Sequence, residues 1–173
     1  SGTAHADNVA PALCGGFTLV RSYSPLDIIK LNTPSDLYAT VVHPQIEVKT
    51  SDARKVLRIS VPLKKAVMQW GNVGGLVAGL YREDYELIGR SLQDVIVEPI
   101  RSMLIPGFDQ VKAESLKAGA LGCSISGSGP SIFALSKGKE TAEKVKKAMG
   151  DVYKNFGIDY NIHLSKVNPN GAQ

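Results

Sequence analysis

The amino-acid sequence predicts an α+β fold in which helices cover one face of an antiparallel sheet. Two observations support this prediction. The second half of the chain follows the order helix, strand, turn, strand, helix, strand, which is typical of ferredoxin-like βαββαβ folds. Apolar residues recur at helical spacing in segment 141–156, whereas segment 159–167 alternates apolar and polar residues, as a strand with one buried face does.

The first elements along the chain are a short helix and three strand-like runs. Ala10 and Ala12 favour a helix over 7–13, and the Gly15–Gly16 pair ends it. Each strand-like run is closed by a turn or proline signal; the three runs are 17–22, 27–31 and 38–43. We expect them to form an antiparallel meander.

The remaining helical patterns lie between residues 50 and 156. They cover 50–57, 64–81, 84–95, 98–105, 108–118 and 141–156. Within the second of these, Gly71, Gly75 and Gly79 recur every four residues and therefore share one side of the helix. In a soluble protein this spacing favours a neighbouring helix or sheet that packs very close to the glycines.

The composition is that of a soluble globular protein. Hydrophobic residues make up 43% of the chain and charged residues 21%. The length of 173 residues fits one domain, or one and a half. Cys14 and Cys123 lie in apolar surroundings, so we expect free thiols, and no histidine or cysteine spacing indicates a metal site. The longest apolar stretch is shorter than the roughly 20 residues of a membrane span. With no signal peptide at its start, the chain is expected to be cytoplasmic, without a membrane partner.

The segment Gly122–Leu135, GCSISGSGPSIFAL, is rich in glycine and serine but fits none of the usual site motifs. It lacks the lysine of a Walker loop, the third glycine of a dinucleotide fingerprint and the last glycine of a nucleophile elbow. A strand, a glycine-serine turn and a second strand remain. The residues alone leave two interpretations open: a plain hairpin with glycines at positive φ, or a turn whose backbone N–H groups bind an anion.

Several segments taken together resemble the homoserine kinases, which belong to the superfamily of galactokinase, mevalonate kinase and phosphomevalonate kinase. The run HADNVAPALCGG at 5–16 is similar to the HADNVAPA-GG segment of these enzymes. The glycine-serine segment at 122–135 resembles the glycine-rich third motif of the superfamily. Segments 49–57 and 98–106 also look like homoserine kinase, and the four occur in the family's order.

The resemblance implies that this chain is the C-terminal portion of such an enzyme. The family's phosphate loop, P-x-x-x-G-L-G-S-S-A, does not occur here. Residues 1–45 would be the remainder of the N-terminal nucleotide and substrate domain, and residues 46–173 the C-terminal kinase domain. The implied reaction is ATP-dependent phosphorylation of the L-homoserine hydroxyl in threonine biosynthesis, with ATP and Mg²⁺ as cofactors. The metal ligands would lie in the missing half, and the chain alone would be inactive.

The resemblance also implies the roles of individual residues. Asn8 would orient the attacking hydroxyl by hydrogen bonding and would not act as a base, because an amide cannot take a proton near neutral pH. Arg54 and Arg101 would bind the substrate carboxylate through paired hydrogen bonds. Further substrate contacts would come from His5, Asp7 and Thr50. The loop residues Gly127, Ser128 and Gly129 would approach the substrate or phosphate end of the cleft.

Two alternative functions and one question of assembly stay open. The chain could belong to another small-molecule kinase of the same superfamily, or be a ferredoxin-like binding module for RNA or a ligand. Aromatic residues make up only 6% of the chain and no RNA-recognition run occurs, so we expect no nucleic-acid partner. Segment 1–43 is expected to pair with the missing sheet. Alone it would be disordered or pair with another copy, and a homodimer is therefore possible.

Overall fold

A computed structural model describes residues 6–48, 53, 56–57 and 60–172. Within these residues, six strands form two antiparallel sheets. The first sheet pairs β1 with β2, and the second has the order β4-β5-β3-β6. The strands are β1 Phe17–Tyr23, β2 Leu26–Leu31, β3 Leu37–Pro44, β4 Gly122–Ile125, β5 Ile132–Lys137 and β6 Tyr160–Lys166.

The helices follow the predicted pattern closely. They are α1 Ala6–Cys14, α2 Leu63–Arg82, α3 Tyr85–Ser91, α4 Glu98–Arg101, α5 Phe108–Lys117 and α6 Lys139–Phe156. The helix predicted over 84–95 ends at Ser91, and α4 continues as a 3-10 turn, Ser102–Leu104, instead of reaching residue 105 as an α-helix. The helix predicted over 50–57 lies largely outside the described residues.

The predicted meander of three strands is wrong, because β3 leaves its sequence neighbours. It lies inside the four-stranded sheet, between β5 and β6, whereas among the described strands β1 and β2 pair only with each other. Leu37 and Val42 of β3 are fully buried and face opposite sides of the sheet, so an interior position removes more of the strand from water. The domain division at residues 45 and 46 stays a prediction.

Both faces of the four-stranded sheet are covered. On one face, α5 and α6 bury Val111, Val145 and Met149 against Ile132 of β5, which agrees with the helices predicted there. On the other face, a smaller cluster joins α2 and α3 to the sheet; its buried members are Leu37, Leu80, Ile88 and Leu135. The α+β class with an antiparallel sheet is confirmed; helices pack on both faces of the sheet, whereas the sequence predicted them on one face.

The glycines of α2 pack as predicted at two of three positions. A Cβ on Gly79 would lie 2.9 Å from Cγ1 of Ile88 in α3, and one on Gly75 would lie 2.4 Å from Oγ of Ser91. Gly71 has nothing within 4 Å of the corresponding position. The close approach of α3 therefore depends on the C-terminal half of α2 alone.

Both cysteines are free thiols, as expected; Cys123 is buried and Cys14 half-buried. In the described part of the chain, no helix combines the length and apolar character needed to cross a membrane.

Candidate active site

The glycine-serine segment folds as an antiparallel hairpin of β4 and β5, with Gly122 opposite Leu135 and Ile125 opposite Ile132. The loop between the strands is closed by two backbone hydrogen bonds. The N–H of Ser126 donates to the carbonyl of Ser131 at 2.8 Å, and the N–H of Gly129 donates to the carbonyl of Ser126 at 3.0 Å. The strand-turn-strand prediction is confirmed.

The two loop glycines share a backbone conformation but differ in their surroundings. Both have positive φ, 61° at Gly127 and 83° at Gly129, a region that side chains with a Cβ rarely occupy. A Cβ on Gly129 would also lie 2.9 Å from Cδ1 of Ile105, so this glycine lets the loop settle on the core. The space beside Gly127 is open among the described residues. Its backbone is therefore accessible to a ligand.

Arg101, at the end of α4, contacts this loop directly. Its Nη1 donates to the carbonyl of Gly127 at 3.0 Å, and its Nε donates to the carbonyl of Ala53 at 3.1 Å. Both Nη2 hydrogens and one Nη1 hydrogen have no acceptor among the described residues. A guanidinium held in this way keeps a fixed plane and still presents donors to a carboxylate.

Short helix α4 is held by acidic side chains. The carboxylate of Asp94 accepts hydrogen bonds from the backbone N–H groups of Ile96 and Val97, each at 2.8 Å, and of Glu98 at 3.1 Å. Glu98 itself is buried and forms an ion pair with Lys112 of α5. These contacts fix the direction in which α4 presents Arg101.

Helix α2 holds the chain that precedes α4. Oε1 of Gln69 accepts a hydrogen bond from the N–H of Val95 at 3.0 Å, and Nδ2 of Asn72 donates to the carbonyl of Gln93 at 2.8 Å. The sequence reasoning did not predict Gln69, Asn72 or Asp94 as supports. None of the three carried a readable signal: Asp94 lay inside the helix predicted over 84–95, and the N-cap position of α4 is Val97.

Two of the predicted N-terminal site residues lie on α1. Asp7 and Asn8 are exposed in its first turn. The C-terminal tail fixes the helix, because the N–H of Ala172 donates to the carbonyl of Ala12 at 2.8 Å and the N–H of Gly16 donates to the carbonyl of Asn168 at 2.7 Å. This support by the tail was not predicted.

Of the predicted site residues, the described structure brings together Arg101 and the glycine-rich loop. Between Asn8 and either of them there is no hydrogen bond in the described ranges. His5, Thr50 and Arg54 lie outside the described residues, so their positions stay predictions.

Cys123 precedes the loop but cannot serve as a nucleophile near neutral pH. Burial raises the pKa of its thiol to about 12, although a hydrogen bond with the Ser115 hydroxyl opposes part of that rise. The thiol therefore stays protonated.

No metal centre is formed by the described part of the chain: no group of three or more His, Cys, Asp or Glu side chains there could hold an ion.

Known proteins share the fold and the glycine-rich segment of this chain. Residues 76–155 match the family model described as GHMP kinases C terminal. The homoserine kinase of Chlorobium phaeobacteroides strain DSM 266 is 59% identical over 152 residues, which are 88% of this chain and 48% of that protein. The homoserine kinase of strain BS1 is 55% identical over 174 residues, 99% of this chain and 54% of that protein.

A solved structure agrees with these relatives. The crystal structure of homoserine kinase from Cytophaga hutchinsonii superposes with a TM-score of 0.96 at 61% identity and covers 98% of this chain and 54% of that one. The chain thus spans about half the length of the relatives it matches.

The chain carries the C-terminal domain of the GHMP kinases at residues 76–155. Among them it is similar over nearly its whole length to homoserine kinases, and this recognition from the sequence is confirmed.

Proposed function

We propose that the protein containing this chain is a homoserine kinase that transfers the γ-phosphoryl group of ATP to the side-chain hydroxyl of L-homoserine. The product would be O-phospho-L-homoserine, an intermediate of threonine biosynthesis in the cytoplasm. The proposal extends the identity of 55–61% with homoserine kinases to the activity of a protein of which this chain spans about half.

The observation that carries the proposal is the contact between Arg101 and the glycine-rich loop. Homoserine has a carboxylate, and the Nη donors of Arg101 that have no acceptor among the described residues suit a planar anion. In the described structure, the N–H groups of Gly127 and Ser128 have no hydrogen-bond acceptor, so the loop can also donate to an anionic oxygen. The donors of Arg101 and of the loop support a site for a substrate that carries a carboxylate and receives a phosphoryl group.

The other predicted residues complete the proposed site. Asn8 would orient the attacking hydroxyl, with His5, Asp7 and Thr50 as further substrate contacts. Arg54 would share the carboxylate with Arg101. None of these residues needs to act as a base, because phosphoryl transfer depends mainly on alignment and on neutralising negative charge.

ATP and Mg²⁺ are the proposed cofactors. The loop N–H groups that lack an acceptor among the described residues fit a phosphate oxygen, whereas no described cluster of side chains fits the metal ion. When bound, the ion would neutralise phosphate charge. We place its ligands, and the phosphate loop, in the half of the enzyme that this chain does not include, and we expect the isolated chain to have no kinase activity.

A substrate panel on the complete enzyme tests the proposal. ADP release should be fastest with L-homoserine and close to background with mevalonate, phosphomevalonate and galactose. Preference for another of these substrates would identify a different kinase of the superfamily. The 173-residue chain alone should give no turnover, and turnover by it would refute the need for the missing half.

A pair of arginine variants tests the site. Arg101→Ala should raise the KM for homoserine roughly 10- to 100-fold, the range expected for losing about 1.5–3 kcal/mol of charged hydrogen bonding, with a much smaller effect on the KM for ATP. Arg90→Ala is the matched control, because Arg90 is exposed on α3 and pairs only with Glu86 among the described residues. Equal effects of Arg101→Ala on both KM values would contradict the assignment.

A further inference from the structure

The glycine-rich loop is also held at its far end by His43, which lies outside the four segments that resemble homoserine kinase. Nδ1 of His43, at the end of β3, lies 2.8 Å from Oγ of Ser131, which ends the loop. Arg101 holds the beginning of the loop through the carbonyl of Gly127. Ile105 packs beneath Gly129 in the middle.

The His43–Ser131 contact extends the pairing of β3 with β5. Val42 pairs with Ile132 at the last registered position, and His43 and Ser131 stand one step further toward the loop. Because side chains alternate along a strand, both lie on the sheet face that α2 and α3 cover in part. The two residues are half-buried, so water competes less for their hydrogen bond than at an open surface.

We propose that His43 is a positioning residue for the glycine-rich loop and acts through the hydroxyl of Ser131. This role rests on the proposed function, since the position of the loop matters for catalysis only if the loop contacts the reacting groups.

The hydrogen bonds of the loop transmit the restraint. The carbonyl of Ser131 accepts from the N–H of Ser126, and the carbonyl of Ser126 accepts from the N–H of Gly129. Fixing Ser131 therefore fixes the ends of the turn that carries the N–H groups of Gly127 and Ser128, which have no acceptor in the described part of the chain. Without that restraint the two glycines permit many backbone conformations, and small misplacements at a transfer site are costly.

Kinetics of the complete enzyme test this role. His43→Ala and Ser131→Ala should each lower kcat about three- to tenfold, the effect of one lost neutral hydrogen bond, with KM values for homoserine and ATP nearly unchanged. The double variant should be no slower than the slower single variant, because both changes remove the same contact. His43→Asn keeps a polar group near the Nδ1 position and should restore most of kcat.

Histidine 163 provides the control. His163 lies on β6, beside β3, and is exposed, so His163→Ala should leave kcat unchanged. Single variants that keep wild-type kcat would overturn the proposal, as would a double variant whose loss equals the product of the two single losses.

Hydrogen exchange separates this inference from the kinase proposal. In the same protein, the peptide covering 126–131 should exchange faster in His43→Ala and in the nearly isosteric Ser131→Ala, but not in His163→Ala. If the enzyme shows no homoserine kinase activity, the proposed function fails, and faster exchange would still establish that His43 holds the loop. Unchanged exchange in both variants would overturn the role of His43 whatever the activity.

Discussion

Alanine substitutions at the α2 glycines should change the free energy of unfolding in opposite directions. An alanine stabilises an exposed helix position by about 0.5–1 kcal/mol relative to glycine. At Gly71, nothing lies within 4 Å of the point that an alanine Cβ would occupy, so Gly71→Ala should show this gain in full. Gly74 is equally open, and Gly74→Ala serves as its matched control.

Gly79→Ala should destabilise the same helix. The new Cβ would lie 2.9 Å from Cγ1 and 3.0 Å from the backbone N of Ile88, which is fully buried. Because a backbone atom cannot rotate away, α3 must move, and overpacking of this kind costs about 1–3 kcal/mol. After the gain in helix propensity, we expect a net loss of about 1–2 kcal/mol. Gly75→Ala should fall between the two, since its 2.4 Å neighbour is the rotatable Oγ of Ser91.

Urea denaturation of the 173-residue chain, followed by circular dichroism, measures these differences. At unchanged m values, the midpoints should rank Gly71→Ala above wild type and Gly79→Ala below it. The reasoning would be refuted if Gly79→Ala were as stable as Gly71→Ala, because α3 would then not pack against α2 as closely as described.

Two further predictions concern buried groups on the opposite face of the sheet. Lys112→Met leaves the buried Glu98 carboxylate without its cation and should destabilise the chain by about 3–5 kcal/mol; adding Glu98→Gln should recover much of the loss, and additive losses in urea would argue against the ion pair. Burial raises the pKa of Cys123 to about 12, so between about pH 9 and 12 the folded chain keeps a proton that the unfolded chain releases, and stability falls as the pH rises. Cys123→Ala should flatten the decline of the urea midpoint above about pH 9, and an unchanged slope would show that this thiol does not titrate as described.

The sequence predicted most helices and strands because burial leaves a periodic pattern in the chain. Helix α6 runs from Lys139 to Phe156, close to the predicted 141–156, and Val145 and Met149 are fully buried on its inner side. The alternation of apolar and polar residues could not show that the predicted meander was wrong. Alternation shows which side of a strand is buried, but β3 pairs with β5 and β6, which lie about 90 or more residues further along the chain.

The candidate site was predicted in part. The resemblance named both Arg101 and Gly127, but not the hydrogen bond between them, because the acceptor is a backbone carbonyl whose direction depends on the conformation of the loop. His43 gave no signal at all. It ends an ordinary strand-like run, and its partner Ser131 is 88 residues away in the sequence.

The two side chains that hold the loop should have separable effects on catalysis. Arg101 binds both the Gly127 carbonyl and, as we propose, the substrate carboxylate, so the positions of loop and substrate are coupled through one rigid guanidinium. A lysine keeps the charge but cannot reach two carbonyls and a carboxylate in one plane. Arg101→Lys should therefore raise the KM for homoserine and lower kcat together. His43→Ala removes a side chain that contacts the loop and not the substrate, so it should lower kcat alone. If both variants changed the same single parameter, the loop and the carboxylate would not be coupled through Arg101.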